Sequence, residues 1–99
     1  MLYAIIGTDV PDSTAARAAA RPRHLERVQA LVQQGRLALA GPFPAIDAPD
    51  PGAHGHTGSL IVAEFPDLPS AETWAAADPY ATEGVFASVV VKPFRQVLP

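Results

Sequence analysis

The chain has no cysteine among its 99 residues. That absence removes disulfides, thiolate nucleophiles and zinc–sulfur centres together. There is no excess of basic residues either: 7 Lys and Arg stand against 10 Asp and Glu, a net charge of −3. Neutralising phosphates needs a basic surface, so nucleic acid is not an expected partner. Long apolar runs are missing too. The opening Met1-Leu2-Tyr3-Ala4-Ile5-Ile6-Gly7 lacks a basic leader and is too short to cross a bilayer or direct secretion. The expectation is a soluble, cytoplasmic protein without membrane contact. Gly52, Gly55 and Gly58 do not make a phosphate loop, because the lysine and the following helix are absent. His54 and His56 flank Gly55 with no Cys or carboxylate cluster beside them, so no metal site is expected.

What is present is ordinary in amount. Hydrophobic residues make up 48% of the chain, which argues against disorder. The length predicts one domain, residues 1–99. A domain of this size buries only about 60–65% of its unfolded surface, so association is a common way to cover more.

Leu2 to Thr8 is a short apolar run ended by Asp9, Pro11 and Asp12, which predicts a strand leading into a turn. Ser13 to Ala20 is alanine-rich and suits a short helical turn. Pro22 breaks a helix that continues through it but fits the first position of a new one. Leu25, Val28, Leu31 and Val32 then recur at helical spacing, and Gly35 is a C-terminal cap, so the main helix is expected over 22–34. Arg36 to Gly41 reads as a second strand, and 42–57, rich in Pro and Gly, as a long loop of a kind that is often functional. Ser59 to Phe65 is a third strand. Ser70 is an N-cap for a helix through Ala77 with Trp74 on its inner face. Asp78-Pro79 begins a second helical turn up to Gly84. Val85 to Val91 is a fourth strand, interrupted by Pro93, with Phe94 to Leu98 as an edge continuation.

The order β-α-β-β-α-β predicts an α+β, ferredoxin-like fold: a four-stranded antiparallel sheet with both helices on one face. The strands are apolar at both parities, as in Ile5 and Ile6, Ile61 and Val62, Val89 and Val90. A sheet apolar on both faces must be covered on both. The helices cover one, and a second copy of the sheet is the simplest cover for the other, so a homodimer is expected.

Two residues stand out as able to do chemistry. His24 lies about 45° from the centre of the helix's apolar arc, at the edge of the core. Placed in the first turn of a helix beginning at Pro22, it would feel the partial positive charge of the helix end, which favours the neutral imidazole a general base needs. Asp78 is its natural partner if the fold brings them together, since a carboxylate there fixes the tautomer and stabilises the imidazolium. The blander roles are a half-buried histidine bonded to a carbonyl and an aspartate that only caps the turn at Pro79. Arg21 is placed to hold an anionic substrate group together with the helix N-terminus, while Arg23 and Arg27 suit a solvated face. Tyr3 and Tyr80 can line a pocket or serve as core aromatics. Ser59 can hydrogen-bond a ligand, but lacks the Gly-x-Ser-x-Gly setting of a nucleophile.

Taken together, Arg21-Pro22-Arg23-His24-Leu25, Gly35-Arg36-Leu37, Ala40-Gly41-Pro42-Phe43-Pro44, Asp50-Pro51-Gly52, Gly58-Ser59, Ala77-Asp78-Pro79-Tyr80 and Val91-Lys92-Pro93-Phe94 resemble the YciI-like (YCII-related) family nearly end to end, in order and spacing. The resemblance implies a ferredoxin-like subunit of a dimeric α+β barrel. It also implies an active site on a histidine and an aspartate, which fall on His24 and Asp78. The wider superfamily is similar to a set of small metal-free enzymes acting on cyclic or aromatic-derived molecules, among them isomerases, monooxygenases and dehydrochlorinases.

The reading that follows is a cofactor-independent enzyme, with His24 as base then acid and Asp78 orienting it, performing elimination or isomerisation on a small polar cyclic substrate. Arg21, Ser59, Tyr80 and Tyr3 are the expected substrate-binding residues. The competing reading is a non-catalytic dimeric module that binds a small ligand or acts as an accessory protein. RNA binding through the same topology is disfavoured, because the exposed aromatics and basic sheet it requires are absent.

Overall fold

In the computed structural model, which describes residues 1–99, the elements follow as β1 (Leu2–Asp9), α1 (Thr14–Gln33), β2 (Leu37–Pro44), β3 (His56–Glu64), α2 (Leu68–Ala76), α3 (Pro79–Thr82) and β4 (Phe86–Phe94). The four strands form one antiparallel sheet in the order β2-β3-β1-β4. The helices pack on one face, which is the expected ferredoxin-like α+β arrangement. No helix is long and apolar enough to cross a membrane.

Register decides which side chains meet the helices, because neighbouring residues along a strand face opposite ways. Tyr3 and Ile5 of β1 sit opposite Ala63 and Ile61 of β3. These four, with Phe65, Val28 and Leu31 from α1 and Ala71 and Ala75 from α2, make the main core. The other parity carries Ile6 opposite Leu60 and Val90, and Ala4 opposite Val62. On that face Leu39, Phe43, Val90 and Phe94 are 39–52% exposed.

Three boundaries differ from the sequence expectation, each for a physical reason. Helix α1 runs unbroken from Thr14 through Pro22. Proline removes the hydrogen bond to the carbonyl four residues back, but Pro22 and Ala18 both lie on the exposed side, where water can satisfy that carbonyl. Strand β2 continues through Pro42 and Pro44, and β4 through Pro93. Both are edge strands, where a missing N–H breaks no interior ladder. The loop between β2 and β3 therefore shrinks to residues 45–55 and contains a 3₁₀ turn at Gly52–His54.

The helix ends follow sequence chemistry. Gly35 (φ 69°) closes α1. Its N–H donates to the Val32 carbonyl at 3.0 Å and that of Arg36 to Leu31 at 2.9 Å, the two bonds of a Schellman motif. The cap of α2 is Asp67, not Ser70: its Oδ1 accepts the Ser70 N–H at 2.8 Å. Ser70 is a cap-type residue too, but it lies inside the first turn, and the residue that starts the helix is Asp67, with extended backbone. Bonding to Ser70 holds the Asp67 carboxyl below its usual range. Its contribution to stability is thus present above the ordinary carboxylate pKa of 3.8 and lost as pH falls through the lower folded value. Asp67→Ala should lower the melting temperature at neutral pH. In thermal scans the gap to wild type should close below about pH 4.

Gly7 on β1 has no room for a methyl group, since a Cβ there would lie 2.5 Å from the Phe86 ring. Phe86 in turn meets Tyr80 edge-on at 5.6 Å. The sheet thus supports the residues described next from below.

Candidate active site

Helix α1 buries Arg17, Ala20, His24, Val28 and Leu31, a helical stripe facing the sheet. Its middle passes beside α3, a single turn begun by Pro79. Asp78 stands at the N-cap of that turn with extended backbone (φ −62°, ψ 132°), and its Oδ1 accepts the Tyr80 N–H at 2.8 Å. The same carboxylate meets His24 Nδ1 at 2.8 Å through Oδ1 and 3.0 Å through Oδ2. Asp78 is 2% exposed and His24 8%. Asp78 therefore caps and pairs at once.

An ionised carboxylate only accepts hydrogen bonds, so Nδ1 carries the proton. In the neutral ring Nε2 then holds a lone pair. No group of the chain bonds Nε2. The one buried side-chain nitrogen or oxygen without a partner is Arg27 Nη1, so Nε2 opens onto accessible space. That space is a cavity of about 240 Å³ between α1 and the β2–β3 side of the sheet, lined by Arg17, Arg21, His24, Val28, Ser59 and Tyr80.

His24 is ten residues into α1, not in its first turn, roughly 15 Å from the helix end at 1.5 Å per residue. The terminal dipole acts only within the first turn, so it reaches neither His24 nor Arg21. The partner of His24 is also met by the helix's middle rather than its end.

Tyr80 stacks on the His24 ring, with centroids 3.8 Å apart and planes within 4°. It is 3% exposed. Burial pushes its phenol above the ordinary value of 10.0, against a smaller pull downward from Arg17 and Arg21. The hydroxyl thus stays protonated at neutral pH. Ser59 is buried in β3 and also lines the cavity. Arg21 lines it from the exposed side of α1. Tyr3 does not line it: it packs edge-on against Phe65 at 6.3 Å in the main core. Tyr3 is four residues along β1 from Gly7, the partner of Ser59, or about 13 Å at strand rise.

The residue that sequence reasoning passed over is Arg17. It is 8% exposed. Its Nε donates to Asp9 Oδ2 at 2.6 Å and its Nη2 to Asp9 Oδ1 at 3.0 Å. Nη2 also reaches the Gly58 carbonyl at 2.8 Å and Ser59 Oγ at 2.9 Å. Ser13 Oγ donates to Asp9 Oδ2 at 2.6 Å, and the guanidinium carbon lies 5.0 Å from the Tyr80 ring centre. Asp9, Ser13 and Arg17 stand four apart in sequence. That spacing places the three on one side only once α1 begins at Thr14.

Comparison with known proteins fits this picture. A family model described as the YCII-related domain matches residues 1–95. The chain is 53% identical over 97 residues to Protein YciI of Escherichia coli O6:H1, covering 98% of this chain and 99% of that protein. It is 46% identical over 97 residues, with the same coverage, to a Haemophilus influenzae protein without a functional name. Among solved structures it superposes on 5-chloro-2-hydroxyhydroquinone dehydrochlorinase (TftG) of Burkholderia phenoliruptrix AC1100 in complex with 2,5-dihydroxybenzoquinone. The TM-score is 0.83 at 23% identity, over 96% of this chain and 94% of that one. At that identity the likeness is one of fold.

Proposed function

The chain belongs to the YCII-related domain family, and from that premise we propose that it is a small acid–base enzyme acting on a cyclic, polar molecule. The observation that carries the reading is the His24 Nδ1–Asp78 contact at 2.8 Å, with Nε2 left free toward the cavity. His24 Nε2 takes a proton from an activated C–H or O–H of the bound molecule. Asp78 holds the ring in one orientation and stabilises the imidazolium that forms. The proton then returns to a different atom, giving isomerisation, or passes to the departing group, giving elimination. Neither step calls on a cofactor. General acid–base work of this kind is worth about 10²–10⁴-fold, enough for a substrate whose proton is already acidic. The solved neighbour named above is a dehydrochlorinase bound to a small hydroxylated quinone, which favours a substrate of similar size.

The working unit in this reading is a cytoplasmic homodimer. The sheet face opposite the helices carries Leu39, Phe43, Val90 and Phe94, all more than a third exposed, and a second copy of the same face covers them.

The test is proton exchange in D₂O. A panel of small cyclic hydroxy-acids and hydroxyquinones is incubated with the protein and followed by NMR. Loss of a C–H signal, or conversion, faster than in buffer supports the reading. Binding without exchange or conversion across the panel leaves a ligand-binding module and sinks the enzyme.

A further inference from the structure

The cavity is lopsided in its hydrogen-bonding chemistry. Both nearby carboxylates are engaged away from it: Asp9 by Arg17 and Ser13, Asp78 by His24 and the Tyr80 N–H. What remains free is nearly all donor. Arg17 uses Nε and Nη2 within the chain, while Nη1 has no partner and is not sealed from solvent. Ser59 Oγ accepts from Arg17 Nη2, which leaves its own proton to donate. Arg21 makes no hydrogen bond or ion pair within the chain and lines the same space. The one side-chain base facing the cavity is His24 Nε2.

We propose that this cavity selects a small oxyanion, a carboxylate or an enolate, whose oxygens are held by Arg17, Ser59 and Arg21 while its acidic hydrogen faces His24. The site is built rather than incidental. Arg17 is nine-tenths buried, and three partners fix its plane, so the free edge of the guanidinium has one direction. Nη1, held in that direction by the engaged Nε and Nη2, donates to one oxygen of a carboxylate or an enolate, while Ser59 and Arg21 take the other. A neutral ligand of the same shape leaves those donors unsatisfied once water is displaced, and buried donors without partners are costly. Arg17 is thus the specificity-determining residue and Arg21 the mobile second contact. The inference rests on the acid–base reading only for the role of His24. The anion preference stands without it.

Two probe pairs test it: 4-nitrophenolate against 4-nitrophenol, read by absorbance, and benzoate against benzamide, read by calorimetry. The full-length protein should bind at least one anion about tenfold or more tighter than its neutral partner. For nitrophenol this appears as a fall of about one unit in the bound probe's pKa. Preference for benzoate alone assigns a carboxylate, and for nitrophenolate alone an enolate-like oxygen. Arg21→Gln lies on the exposed side of α1 and should weaken the preference severalfold. Arg17→Lys keeps the charge beside Asp9 but cannot bond Asp9 and also aim a fixed donor at the cavity, and should abolish most of the preference while circular dichroism stays native. His24→Asn should keep the preference and lose proton exchange, which separates the two ideas. Equal binding of charged and neutral probes overturns the proposal. So does an anion preference that survives both arginine substitutions, or one that disappears in His24→Asn alone.

Discussion

His24→Asn should lower kcat/KM by about 10²–10⁴-fold on any substrate that the exchange screen identifies, the usual value of a positioned general base. Asparagine keeps a donor near Asp78 but offers no base at the position of Nε2. Stability should change little in comparison, because the Asp78–Tyr80 cap and the core under α1 do not depend on the imidazole. Asp78→Asn is the sharper companion. An asparagine Oδ1 can still accept the Tyr80 N–H, so α3 keeps its cap, but the carboxylate that orients and stabilises the imidazolium is gone. Its turnover should also fall, whereas Asp78→Ala should fall and lose about 1 kcal/mol of cap as well. On the proposed roles the two side chains act as a unit, so the double variant His24→Asn/Asp78→Asn should be scarcely worse than His24→Asn. Additive losses would mean that the two residues act separately. Wild-type kcat/KM in His24→Asn would leave the pair a packing device.

The His24–Asp78 contact is legible in the sequence, but the helix-dipole argument for a neutral imidazole does not hold. Histidine and aspartate are residue types able to relay a proton, and the family resemblance falls on the same two positions. The supporting dipole argument depended on α1 starting at Pro22. Proline propensity is a local rule, and tertiary context overrode it, since the exposed side of the helix tolerates a missing N–H. The same rule was over-applied at Pro42, Pro44 and Pro93, where edge position makes proline acceptable. Sequence alone does not say which strand is an edge. Period-2 and period-3.6 patterns, by contrast, depend on residues close in the chain. They placed four strands, the main helix body, the Gly35 cap and the Asp78 cap within a few residues.

Arg17 was illegible for a different reason. Its partners are Asp9 at the end of β1, and Gly58 and Ser59 near the start of β3. Only the register Gly7↔Ser59 brings those two strand ends together under α1. Asp12, with φ 56°, turns the chain sharply between β1 and α1. In sequence Arg17 is one of six arginines, and nothing local marks it as the buried one.

That buried arginine gives the largest expected effect on stability. Asp9 has a side chain 1% exposed and Arg17 one 10% exposed. Removing one member of such a pair strands the other charge in a poorly solvated place, which costs about 3–5 kcal/mol. Asp9→Asn keeps the size and some hydrogen bonding to Arg17 and Ser13 but removes the counter-charge, so its loss should fall at or just below that range. A domain of this length has about 5–15 kcal/mol in total, so the variant should unfold at much lower urea, with an unchanged slope. The measurement is urea denaturation at fixed protein concentration, because a dimer's stability depends on concentration. Pairing Asp9→Asn with Arg17→Met removes both charges. The double variant should be more stable than Asp9→Asn alone, since no uncompensated cation remains. It should also have lost any preference for anions, which connects the stability result to the cavity wall. If Asp9→Asn shifts stability by less than about 1 kcal/mol, the pair behaves as a solvated surface contact. The rigid guanidinium edge on which anion selection depends would then not exist.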